Sequence, residues 1–324
     1  MNGTVLVTGA SGFLGRATAG ALLTAGYAVR TLQRRPGGVP GADDVLGSVT
    51  DPAALARAVD GVDAVVHLAA KVSLAGDPAQ FAAVNVGGTR ALLDAARDAG
   101  VRDVVHVSSP SVAHAGTALV GVDAGPADPV GARGEYARTK AAAERLALAA
   151  DGPDLRVVAV RPHLVWGPGD PQLVARVLDR AARGRLPLLD HGTALVDSTY
   201  VDNAADAFVA ALRRLDVTHG QAYVVTNGEP RTIADLLGGM CRAAGVREPR
   251  WSVPAGAARA AGALVEAVWA RRPGTDEPPM TRFLAEQLST AHWFDQRRTR
   301  ADLAWTPAVT VDEGLDRLAH AVRG

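Results

Sequence analysis

The chain has almost no lysine, a single cysteine, no net charge and no long hydrophobic run, and each shortage excludes something. Of its 34 basic residues only Lys71 and Lys140 are lysine, so a lysine kept where arginine is otherwise used points to chemistry that arginine does not supply. Cys241 is the only cysteine, which leaves no internal disulfide framework and fits a reducing compartment, most simply the cytoplasm. Acidic and basic residues balance at 34 each, so there is no basic field for nucleic acid and no polybasic patch for a membrane. The most apolar late stretch, Ala257 to Ala270, is broken by Arg259 and Glu266; it is too short to span a bilayer and at most lies on one as a peripheral contact. A strand starting at Thr4 leaves no room for a signal peptide. The eight histidines show no His-x-x-x-His or cysteine-pair spacing, so no metal is expected. A small-molecule partner is what remains.

What is present is alternation. Short β-branched runs at Val5 to Thr8, Ala28 to Gln33, Ala64 to Leu68, Val104 to Ser108 and Val157 to Val160 are separated by helical patterns, including Ala82 to Ala99 and Tyr136 to Ala150. This order predicts an α/β fold, a doubly wound parallel sheet of Rossmann type with helices on both faces. Asp51-Pro52 starts a helix with a capping carboxylate and a proline at the first helical position, and Gly26 and Gly100 follow helix ends. A chain of 324 residues is long for one domain, so two unequal lobes are expected. Residues 1–165 form the cofactor lobe, 196–227 return to it, and 166–195 with 228–324 form a smaller, mostly helical substrate lobe. Ala222 to Thr226 reads as the returning strand, and Thr232 with Asp235 as a helix-capping pair.

Between the first strand and the first helix lies Thr8-Gly9-Ala10-Ser11-Gly12-Phe13-Leu14-Gly15. Glycines at this spacing permit a tight turn and close backbone approach, and the following helix offers free N–H groups to a pyrophosphate. Thr8, Gly9, Ser11, Gly12, Phe13, Leu14 and Gly15 are therefore candidate cofactor contacts. A site that prefers NAD carries an acidic residue about 20 residues on. None occurs between Gly15 and Asp43; the second strand ends Gln33-Arg34-Arg35 instead. A guanidinium there pairs with the 2′-phosphate of NADP, which makes Arg34, and then Arg35, the candidates.

Tyr136-Ala137-Arg138-Thr139-Lys140 sets a phenol and an ammonium one helical turn apart. A free phenol ionises near pH 10 and is a poor acid or base at neutral pH until a cation stabilises its anion, and Lys140 is placed to supply that cation. The fifth strand ends Val107-Ser108-Ser109-Pro110-Ser111, at the sheet end where open α/β folds bind ligands. Ser109 is the candidate to hydrogen-bond a substrate carbonyl while Tyr136 protonates it, with Ser111 nearby.

Together TGASGFLG, HLAA at His67 to Ala70, Asn85 in VNVGGT, SSPSV, YARTK and RPHLVWGPGD resemble the extended short-chain dehydrogenase/reductase superfamily over almost the whole chain. The resemblance implies Ser109, Tyr136 and Lys140 as catalytic residues. It adds Leu68, Ala69, Ala70, Asn85, Val107, Pro162, His163, Leu164 and Val165 as cofactor contacts, with Ser48 and Val49 beside the adenine in place of a frequent aspartate. Sugar-nucleotide members usually carry an asparagine where this chain has Leu164 and an arginine where it has Val196. The segments at 196–208, 226–230, 278–295 and 306–315 resemble instead the 3β-hydroxysteroid dehydrogenase branch, and within it the bacterial 2-alkyl-3-oxoalkanoate reductases of long-chain olefin biosynthesis.

That resemblance implies NADPH-dependent reduction of a long-chain 2-alkyl-3-oxoalkanoate to the 2-alkyl-3-hydroxy acid, a homodimer, and association with other enzymes of that pathway. Lys71 is the candidate to hold the substrate carboxylate, with His163 and Trp166 as further substrate contacts. Trp166, Trp269, Met280, Phe283, Leu284 and Leu288 are candidates to line an alkyl tunnel. The rival readings are a 3β-hydroxysteroid or sterol-carboxylate dehydrogenase, and a non-catalytic NADP-binding redox sensor.

Overall fold

The computed structural model describes residues 3–73, 76–114, 116–269 and 281–323. Its centre is a seven-stranded, all-parallel sheet. The chain lays down β1 (Thr4–Thr8), helix α1 (Phe13–Thr24), β2 (Ala28–Gln33), β3 (Asp43–Leu46), helix α2 (Pro52–Val59), β4 (Ala64–His67) and β5 (Asp103–Val107). Strands Arg156–Pro162 and Ala222–Val225 complete it, in the order 222–225, 156–162, β5, β4, β1, β2, β3. The order reverses between β1 and β4, the switch point at which such sheets bind ligands.

The strands form because their residues are apolar on both faces. Val5, Val7, Val66, Val105, Val107, Val158 and Val160 point to one side, against Ala19 and Leu22 of α1 and Phe208 of the helix Val201–Arg213. Leu6, Val65, Val104 and Val157 alternate to the other, against Ala54, Leu55 and Ala58 of α2 and Leu92, Leu93 and Ala96 of the helix Gly88–Asp98. The caps are where the sequence places them: Asp51 accepts from the Ala53 amide at 3.0 Å, and Thr232 from the Asp235 amide at 3.0 Å.

Two elements differ from expectation. The helix expected over Ala82 to Ala99 begins earlier, at Pro78, and runs to Asp98 through a π-helical turn at Ala82–Gly87; extra residues of this kind frequently mark functional sites. The C-terminal part is not helical alone. Arg231–Thr232, Leu195–Val196, His292–Phe294 and Leu119–Val122 make a second, four-stranded sheet in that order. Leu119–Val122 thus leaves the first 165 residues to pair in parallel with His292–Phe294. We propose that the division into cofactor and substrate units follows these two sheets, with Leu119–Val122 crossing into the second.

Candidate active site

At the β1–α1 turn, Gly9 has φ +77° and donates its N–H to the Leu32 carbonyl at 2.9 Å. A Cβ on Gly9 would lie 3.0 Å from the Ala69 backbone, and one on Gly15 would overlap the Gly9 carbonyl oxygen. The turn therefore packs backbone on backbone. Helix α1 has neither a side-chain cap nor an acidic residue in its first turn, so its N-terminal amides and positive dipole end face outward. This cradle fits the pyrophosphate of a nicotinamide dinucleotide.

Arg34 and Arg35 follow β2 directly, are exposed, and make no ion pair among the described residues. The acidic residue nearest that strand end, Asp44, is committed elsewhere. It accepts from Thr31 and Gln33 side chains and from the Gly37 amide, bonds that hold its carboxyl below the usual range. Ser48 spends its hydroxyl on Thr50, whose amide donates to it at 3.2 Å, while the two hydroxyls lie 2.8 Å apart; Val49 is buried.

The catalytic candidates converge at the carboxyl end of β5. Ser109, in extended backbone, caps the 3-10 turn Pro110–Ala113 and accepts from both the amide (3.3 Å) and the hydroxyl (3.0 Å) of Ser111. Its own proton is left to be donated. Tyr136, in the first turn of the helix Glu135–Ala149, is half-buried; burial pushes its pKa up to about 12, against the opposing pull of a hydrogen bond with Ser109. The phenol is thus a protonated acid at neutral pH. Lys140, one turn on, is buried and donates Nζ–H to the Val107 carbonyl at 2.6 Å. Desolvation lowers its pKa to about 8, with Glu144 pulling the other way. One N–H of Lys140 goes to the β5 carbonyl, while its charge and its other donors remain for the site.

Around this centre, Asn85 lies in the π-helical turn, buried. Its Oδ1 accepts from the Lys71 amide at 2.7 Å and its Nδ2 donates to Thr139 Oγ1 at 3.0 Å. The side chain thereby ties the loop after β4 to the Tyr136 helix. Thr8 accepts from the Ala69 amide at 3.1 Å, and Leu68 N–H bonds the Thr8 carbonyl at 3.3 Å. Ala70 is half-buried in the same segment. Lys71 points its Nζ to Gln80 Oε1, at 2.9 Å, over the Phe81 ring.

After the strand Arg156–Pro162, His163 is buried and its Nδ1 bonds the Asp197 carbonyl at 2.6 Å. Leu164 holds φ +42°, and Val165 pairs with Thr199. Trp166 is corrected from substrate contact to core: it has no accessible surface, and its Nε1 donates to Ser198 Oγ at 2.9 Å. Of the tunnel candidates, Trp269, Leu284 and Leu288 are half-buried, whereas Met280 and the Phe283 side chain lie outside the described residues.

Three features escaped the sequence reading. His67 is held in a buried chain: Thr8 donates to Nδ1 (2.8 Å), Nε2 donates to Thr89 (3.0 Å), and Thr89 donates to the Asn85 carbonyl. Glu144 forms a bidentate, fully buried ion pair with Arg161 of the neighbouring strand, which also donates to the Gly125 carbonyl at 2.7 Å. Its spacing of four from Lys140 was the one available signal. His114, His163 and His292 form the third, a ring cluster. A groove of about 750 Å³ beside α1, lined by Ala17, Asp206 and Arg213 among others, contains none of these groups. No cluster of His, Cys, Asp and Glu able to hold a metal occurs among the described residues, nor any helix long and apolar enough to cross a membrane.

Comparison with known proteins shows which family the chain resembles. The model of the NAD dependent epimerase/dehydratase family matches residues 5–226. A 2-alkyl-3-oxoalkanoate reductase of Stenotrophomonas maltophilia (strain K279a) is 40% identical over 322 residues, covering 97% of this chain and 98% of that protein. A 3 beta-hydroxysteroid dehydrogenase/Delta 5-->4-isomerase of Mycobacterium tuberculosis (strain CDC 1551 / Oshkosh) is 32% identical over 331 residues, covering 97% and 88%. Among solved structures, MoeE5 in complex with UDP-glucose and NAD is 26% identical, with a TM-score of 0.76 over 99% of both chains.

Proposed function

Since this chain belongs to the NAD dependent epimerase/dehydratase family and is an oxidoreductase of the extended short-chain type, we propose that it reduces the 3-oxo group of long-chain 2-alkyl-3-oxoalkanoates with NADPH. The observation that carries the reading is the convergence of Ser109, Tyr136 and Lys140 at the end of β5, together with the 40% identity to a reductase of that name over 97% of the chain. Membership of the olefin pathway, association with its other enzymes, a homodimer and a cytoplasmic location belong to the same proposal.

When bound, the reduced nicotinamide supplies the hydride that C3 receives. Ser109 donates its remaining O–H proton to the carbonyl oxygen. Tyr136, kept protonated by burial, gives its phenolic proton to that oxygen as it becomes an alkoxide, and a 2-alkyl-3-hydroxy acid results. The Lys140 ammonium supplies the positive charge that stabilises the phenolate left when Tyr136 gives up its proton. Arg34, exposed and without an acidic neighbour that is not already engaged, supports the choice of NADP over NAD.

The test runs in the oxidative direction: purified protein, NADP or NAD, and a long-chain 2-alkyl-3-hydroxy acid, with a 3β-hydroxysteroid in parallel, followed by reduced-nicotinamide absorbance. Turnover of the acid with NADP is expected; turnover of the steroid with NAD alone transfers the chain to the steroid branch. Arg34→Ala is expected to raise KM for NADP roughly tenfold while leaving NAD unchanged. An equal change for both cofactors refutes that role.

A further inference from the structure

The cluster of His114, His163 and His292 has a proton inventory that its geometry fixes. A backbone carbonyl only accepts, so His163 carries its proton on Nδ1, which donates to the Asp197 carbonyl at 2.6 Å; Nε2 is a lone pair. Thr290 gives its one hydroxyl proton to the Glu286 carbonyl at 2.7 Å. It can then only accept from His292, whose Nε2 lies 3.2 Å away. Nδ1 of His292 is therefore also a lone pair, and it is buried with no hydrogen-bond partner among the described residues. His114 is 1% exposed and both of its ring nitrogens lack a partner. The His292 ring lies 4.7 Å from that of His114, edge to face, and 5.9 Å from that of His163.

Buried ring nitrogens without partners are costly, and in the two neighbouring rings that have this lack, His114 and His292, an arriving anion relieves it by drawing a solvent proton that turns a lone pair into a donor. The rings are neutral at physiological pH. Burial holds His163 at about 4 and His292 at about 3, and it also lowers His114, where Glu286 raises and Arg133 lowers the proton affinity. The charged groups facing the cluster are that ion-paired Arg133 and Glu286, 2.8 Å apart.

The cluster also branches from the catalytic segments. His114 closes the turn that Ser109 caps. Arg133 lies just before the helix of Tyr136. His163 extends the strand whose Val160 carbonyl accepts from the Ser108 amide at 2.7 Å. His292 arrives on the second sheet, paired with Leu119 and Val196.

We propose that His114, His163 and His292 form a proton-accepting pocket for the carboxyl group of the substrate, which binds as a carboxylate against an imidazolium with uptake of one proton from solvent. The proposal rests on the 3-oxo acid reading above, and it gives the carboxylate to the histidines in place of Lys71, whose Nζ bonds Gln80 Oε1 at 2.9 Å. Such an acid carries its carboxyl two carbons from the ketone that Ser109 and Tyr136 would hold, whereas a neutral steroid or an ester brings no acid group to this place. The proton is released when the product leaves, and no bond of the carbon skeleton changes.

Calorimetry on the NADPH-saturated protein, in which the hydroxy acid cannot be oxidised, tests it. A long-chain 2-alkyl-3-hydroxy acid is titrated at pH 7.5 in phosphate and in Tris, whose ionisation enthalpies differ, and its methyl ester is titrated alongside. Uptake of about one proton per acid bound, and none per ester, is expected. His292→Gln is expected to abolish the uptake and weaken the acid roughly tenfold, with the ester unchanged. Binding of the acid by the unaltered protein without proton uptake, or parallel weakening of acid and ester in the variant, overturns the pocket and leaves the proposed function standing. If the unaltered protein binds neither acid nor ester, the proposed function falls and the pocket falls with it. Because the two-buffer comparison needs only the unaltered protein, a variant that fails to fold does not shelter the idea.

Discussion

Burial brings the Lys140 ammonium to about 8, from the 10.5 of a free lysine. Between those two values the unfolded chain binds the proton that the native chain has lost, so native stability rises with pH across that window. Below pH 8 the cost of the buried charge is fully present. Lys140→Met is accordingly expected to raise the thermal midpoint at pH 7 while lowering reductase activity at least roughly a hundredfold; calorimetry and a rate assay on one preparation decide it, and a lower midpoint counts against the argument. Reduction needs both the phenol, which persists to about 12, and the ammonium. The rate of reduction should therefore fall as pH climbs through about 8, which a pH–rate profile reads directly. Tyr136→Phe, which removes the proton donor and little packing, should lose roughly a thousandfold in kcat at nearly unchanged stability.

Helices and strands carry other consequences. The helix Arg297–Leu303 ends on Ala304 at φ +48°, ψ +46°, a left-handed cap normally made by glycine. Ala304 is exposed, so Ala304→Gly sacrifices no burial and should stabilise by about 0.5–1 kcal/mol in urea denaturation. In the interior, Arg161→Met leaves Glu144 charged and alone between the Tyr136 helix and its strand, which should cost about 3–5 kcal/mol. A compensating Glu144→Leu should recover most of that loss, and failure to recover would mean that the pair does more than neutralise itself. These elements also show what the sequence made legible. Strands buried on both faces read as β-branched runs, and Tyr136 and Lys140 stand one turn apart on one helix, so the main sheet and the placement of this candidate pair were open to inspection. Strand β3 was harder to see because it is an edge strand, mostly exposed and starting Asp43-Asp44. Asn85 was anticipated beside the cofactor, but its tie to Thr139 depends on a π-helical turn that no spacing announces.

For the molecule as a whole, the second sheet was the least legible part, because its strands are two to four residues long and pair across large separations. A period cannot be read in so few residues. The same separation hid the histidine cluster, whose members stand at 114, 163 and 292, each innocuous in its own segment. The parallel pairing of Leu119–Val122 with His292–Phe294 has one more consequence, for birth rather than for catalysis. On the ribosome, at about 5–20 residues per second, the interval between the emergence of these two strands is on the order of ten to thirty seconds. Throughout that interval the Leu119 strand, carrying the side chains of Val120 and Val122 that stay exposed in the folded chain, waits with both edges bare beside neighbouring nascent chains. Misassembly during synthesis should therefore be concentrated there, and a chaperone that binds short extended apolar segments would find its target in this strand.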